Sequence, residues 1–85
     1  MVQVIKRGGK RQKFMPEKIK NSIKKAAMRV RISPTKTRDL VNDVGNSVID
    51  LIKKKKFVKT VDIRRSILGR LNRRMKSVAS AFKKR

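Results

Sequence analysis

Apolar residues recur along this chain with two periods, and the change between them separates a short β-prone opening from a helical remainder. Val2, Val4 and Ile5 form one β-prone run and Arg11–Phe14 another. Gly8-Gly9 between them supplies the positive φ angles of a tight turn, which predicts a β-hairpin over roughly residues 2–14. Pro16 suits a first helical position, and Glu17 favours the positive end of the helix dipole, although Met15 is a poor N-cap. Ile19, Ile23, Ala26, Ala27 and Val30 then fall on one face of a helix.

Ser33-Pro34 is a second helix start, with Ser33 as cap. The next stripe is Leu40, Val44, Val48, Leu51 and Ile52, widened by Val41 and Ile49. Gly45 inside it costs about 1 kcal/mol relative to alanine, so it marks a close helix crossing or a local break. Phe57-Val58-Lys59 reads as a very short third strand. Thr60 is the expected cap of a third helix carrying Ile63, Ile67, Leu68 and Leu71. A last helix over roughly 75–83 carries Met75, Val78, Ala79 and Phe82. The order ββ-α-α-(β)-α-α within residues 1–85 predicts one small α+β domain.

Charge changes this picture most. Twenty-seven Lys and Arg against five Asp and Glu give a net charge of +22. Heat adaptation enriches Lys and Glu together, but Glu17 is the sole glutamate. A polyanionic partner accounts for the excess better, and nucleic acid is the commonest polyanion. The charge is also partitioned: residues 1–38 hold 13 cations, residues 39–52 none and residues 53–85 hold 14. Asp39, Asp43 and Asp50 fall in the cation-free stretch, so the second helix is expected to form an acidic back to a basic binding side.

Absent residue types exclude much chemistry. With no cysteine there is no disulfide or thiolate metal site, and with no histidine the usual general base is missing. Five carboxylates alone make an enzyme unexpected. No run approaches the roughly 18 apolar residues of a membrane span. Met1–Lys13 lacks the apolar block of a signal peptide. A cytoplasmic protein without a membrane partner is the expectation, and self-association is left open.

The opening stretch resembles the ATP cone domain family. The family pattern of valine, spacer, Lys-Arg-Asp-Gly, short strand and Lys-Ile-x-x-Ser-Ile-like helix start stands here as Val4-Ile5-Lys6-Arg7-Gly8-Gly9, then Phe14-Met15-Pro16-Glu17-Lys18-Ile19, then Ser22-Ile23. Val58–Ile63 looks like the family's second characteristic region and Ser77–Phe82 like its closing helix. The resemblance implies a small three-stranded sheet over a four-helix bundle, and binding of ATP or dATP in the regulation of ribonucleotide reductase. Carried over by position, Lys6, Arg7 and Lys18 would approach phosphates and Thr60 would lie beside the nucleotide. Gly8, Gln12 and Met15 depart from the acidic or amide residues usual in the family. No reductase catalytic domain or zinc ribbon fits in 85 cysteine-free residues.

Weighed together, these features favour a non-enzymatic nucleic-acid binder, most simply nucleoid-associated, that needs no cofactor and has weak sequence preference. Lys6, Arg7, Lys10, Arg11, Lys13, Lys18, Arg64, Arg65, Arg70, Arg73 and Arg74 are its expected phosphate contacts, the arginines because their planar fork suits bidentate contact. The competing reading for those arginines is ion pairing with the acids of the second helix. Phe14, Phe57 and Phe82, the only aromatics, are expected in the core. Without Tyr or Trp no base-stacking platform of the kind single-strand binders use is expected, so duplex DNA, ahead of structured RNA gripped by its backbone, is the expected target. A ribosome-associated protein and an ATP- or dATP-sensing regulatory domain are the alternatives.

Overall fold

The computed structural model describes residues 2–84, so Arg85 of the basic tail lies outside the described residues, as does Met1. Three strands, β1 (Gln3–Ile5), β2 (Arg11–Lys13) and β3 (Phe57–Lys59), form one sheet in the order β2-β1-β3. β1 and β2 are the expected hairpin, antiparallel with Val4 opposite Gln12. Its turn is closed by the Gly9 amide donating to the Lys6 carbonyl (3.0 Å), and the Lys6 amide donates to the Lys10 carbonyl (2.7 Å). Gly8 and Gly9 have φ of 89° and 84°, values an L side chain rarely adopts. β3 returns to pair in parallel with β1, Val4 beside Val58 and Ile5 beside Lys59.

Four helices follow the expected order: α1 (Pro16–Arg29), α2 (Pro34–Lys53), α3 (Thr60–Arg74) and α4 (Lys76–Lys83). Each start has a physical origin or lacks one. The Ser33 side chain accepts from the Lys36 amide at 3.3 Å, capping α2, whereas Met15 leaves α1 uncapped. Thr60 does not cap α3. It is the first helical residue, and its hydroxyl donates instead to the Ile5 carbonyl at 3.4 Å, tying α3 to β1. Between α1 and α2 the Arg31 amide bonds the Met28 carbonyl and the Ile32 amide bonds the Ala27 carbonyl, a Schellman turn with Arg31 at φ 56°.

The core joins one face of the sheet to the bundle. Val4 and Val58 from the sheet meet Ile23, Val44, Val48, Leu71, Val78 and Phe82, all buried. The expected helical stripes are buried or half-buried against the core with one exception: Leu51, 39% exposed, lies off it while Ile49 is inside. Gly45 is buried at the α1–α2 crossing, where an added Cβ would stand 3.2 Å from Lys20 Cγ, so it marks a close approach in an unbroken helix. Phe82 is buried and Phe14 half-buried against the core, but Phe57 is 50% exposed, which corrects its expected place inside. The reason is alternation. In a three-residue strand one of the two faces takes both end residues, and Val58 is the one directed inward. No helix among the described residues is long and apolar enough to cross a membrane.

Candidate functional site

Parallel pairing brings the C-terminal ends of β1 and β3 side by side, and each strand is followed by cations. Lys6 and Arg7 leave β1 into the hairpin turn, while Lys59 and Thr60 lead from β3 into α3. One turn along α3, Arg64 and Arg65 face the same space, and Lys83 near the end of α4 closes it. The result is a cleft of about 890 Å³ with cations on its rim and Ile5, Val61, Leu68 and Phe82 on its walls.

A second cleft, of about 470 Å³, runs beneath the hairpin between Gln12, Phe14, Met15, Lys18 and Ser22. The two share Lys6, Thr60, Arg64 and Phe82, and so form one continuous depression under and beside the turn. Neither is lined by an Asp or Glu.

Local structure makes this depression anion-attracting beyond its side chains. The first amides of a helix have no intrahelical acceptor and carry the positive end of its dipole. Neither Met15 before α1 nor Lys59 before α3 supplies a capping side chain, and Met15, Thr60 and Val61 all line the joined clefts. The Thr60 hydroxyl has already given its one proton to Ile5. It therefore fixes the wall and retains only acceptor capacity toward a ligand.

Over residues 2–83 the chain matches the model of the ATP cone domain. The chain belongs to the ATP cone domain family. ATP cone domains are nucleotide-binding regulatory domains whose effectors are ATP or dATP. No curated protein sequence matches the chain.

The residues of this ATP cone domain suit such a ligand in kind. Six cations border the larger cleft, enough to meet a triphosphate, and its volume lies within the roughly 300–1,000 Å³ of small-molecule sites. Its apolar walls offer a surface for a purine. Magnesium, if it enters, would be held by the phosphates, since no carboxylate lines the clefts.

The expected site residues separate into groups. Lys6, Arg7, Lys18, Thr60, Arg64 and Arg65 converge on the joined clefts, and Lys13 borders the smaller one. Lys10 is exposed in the hairpin, and Arg11 lies over the Phe57 ring, 5.3 Å from its centroid. The arginines of α3 do not form one row: Arg74 is about 15 Å along the axis from Arg64. Arg70 is half-buried, Arg73 exposed, and Arg74 pairs with Asp43 of α2, the competing arrangement anticipated for these arginines. Lys59, Lys83 and the apolar walls were not singled out from sequence. Lys59 was legible only through the β1–β3 register, and Lys83 only through where α4 docks.

Proposed function

We propose that this ATP cone domain is a non-enzymatic regulatory module that takes ATP or dATP in the joined clefts. The observation that carries the reading is convergence: Lys6, Arg7, Lys59, Arg64 and Arg65, distant in sequence, border one depression with an apolar wall. Lys6, Arg7 and the two arginines hold the phosphates, with Lys18 reaching them from α1. Leu68 and Val61 cover the base. Binding would draw the hairpin turn toward α3, because the two elements supply opposite sides of the phosphate site. Isothermal titration with ATP and dATP at about 200 mM salt tests it, a concentration at which charges beyond about 8 Å are largely screened. Saturable binding there, and weaker binding of inorganic triphosphate, supports the reading. Equal affinity for the bare triphosphate would remove the base from it.

A second reading, nucleic-acid binding through phosphate contacts, is favoured by one further observation. Among the described residues only the Arg74–Asp43 ion pair forms, against 27 cations in the chain. Most cations are therefore free to neutralise an external polyanion. Neutralising about 6–10 phosphates would make affinity fall about 10³–10⁵-fold between 50 and 200 mM salt. A flat salt dependence in a nucleic-acid titration would contradict this second reading while leaving the first intact.

A further inference from the structure

Resting on that second reading, we propose that the outer face of the sheet is a docking surface for single-stranded nucleic acid, with a base stacked at Phe57. Residues alternate across a pleated sheet. Val4 and Val58 point to the core, so Gln3, Arg11, Lys13, Phe57 and Lys59 share the opposite face, and all five are exposed. The register sets them in two rows: Lys13, Gln3 and Phe57 across the strands, then Arg11, Ile5 and Lys59.

An exposed aromatic ringed by cations is an uncommon use of one of only three aromatics in the chain. Burial would remove its apolar surface from water, yet half of Phe57 stays exposed. The Arg11 guanidinium over its ring, at 5.3 Å, is the sole described cation–π contact. Such a contact at an exposed site is weak, so a base can displace the guanidinium or stack on its plane. Aromatic rings and arginine planes on sheet faces are the surfaces on which unpaired bases stack.

The surrounding charge fits the rest of the strand. Lys59 lies two residues along the same face and Lys13 two strands across it, and Lys56, which immediately precedes the ring, is exposed. Bases in a duplex are already stacked on one another and cannot use Phe57. The surface therefore selects single strands, against the duplex preference that the absence of Tyr and Trp suggests.

Fluorescence anisotropy with a labelled oligothymidylate and a labelled hairpin duplex, at about 150 mM salt, tests the proposal. Phe57→Ala is expected to weaken single-strand binding about 5–150-fold, the range of one lost stacking contact, and to leave duplex affinity unchanged. Phe57→Leu keeps the apolar surface and is expected to weaken single-strand binding too, while Phe57→Trp is expected to retain or tighten it. Unchanged single-strand affinity in Phe57→Ala and Phe57→Leu, or equal losses for both probes, overturns the docking surface while nucleic-acid binding stands. Absence of binding to either probe at low and moderate salt overturns both.

Discussion

At the scale of residues, position within the cleft rather than charge alone decides what each cation does. Lys6 and Arg7 border the larger cleft; Lys24 and Lys25 are equally exposed on α1 but line neither cleft. Reversing Lys6 and Arg7 to glutamate is expected to lower ATP affinity at least about tenfold at 200 mM salt, the scale of one lost charge-assisted hydrogen bond. The same reversal at Lys24 and Lys25 is expected to change it less than about twofold by calorimetry, since neither side chain lines a cleft and exposed charges are screened at this salt. Thr60 acts differently. Thr60→Val removes the donor to the Ile5 carbonyl and is expected to cost about 0.5–1 kcal/mol of folding stability, with Thr60→Ser restoring it. Arg31 holds a left-handed conformation that costs a non-glycine residue about 1 kcal/mol. Arg31→Gly is expected to raise stability by up to that amount in urea unfolding.

At the scale of elements, most of the architecture was legible because its signals are local. The Gly8-Gly9 turn, Pro16 and the Ser33-Pro34 start fix three boundaries through backbone chemistry that tertiary context does not override. Helical spacing identified the buried faces because each stripe repeats over several turns. Legibility failed where the determining partner is remote. Thr60 looks like a cap, but β1, 55 residues away in sequence, takes its hydroxyl proton. Phe57 looks like core, but a three-residue strand has too few residues to reveal which face is inward. The cleft itself depends on parallel pairing of β1 and β3 across two intervening helices, which no spacing records. Packing, by contrast, follows from the stripes: Leu71, fully buried between helices, is expected to lose about 3–5 kcal/mol on Leu71→Ala. In a domain whose total stability is of order 4–13 kcal/mol by size, that variant is expected to unfold at markedly lower urea.

At the scale of the whole molecule, a net charge of +22 is spread over a body of about 36 × 22 × 18 Å. α2 carries Asp39, Asp43 and Asp50, all exposed, and, from residue 39 to 52, no cation, so this helix is the least basic part of the chain. Self-repulsion at this charge density opposes folding. Thermal midpoint is therefore expected to rise between low and moderate salt, by about 4–8 °C for each kcal/mol of repulsion relieved in a domain of this size, as read by circular dichroism. The Debye length near 8 Å at physiological salt is less than half of every dimension of the molecule. A bound anion then responds to its local cations, and a specific cleft can be told from a diffuse polycation. The most direct measurement is amide chemical-shift mapping during an ATP titration at about 200 mM salt. Saturable shifts confined to the residues of the joined clefts, 4–7, 12–19, 22, 59–68 and 82–83, are the expected result. Shifts spread in proportion to lysine and arginine content, with residues 53–56 and 24–25 moving as much as residues 6–7, would contradict the cleft.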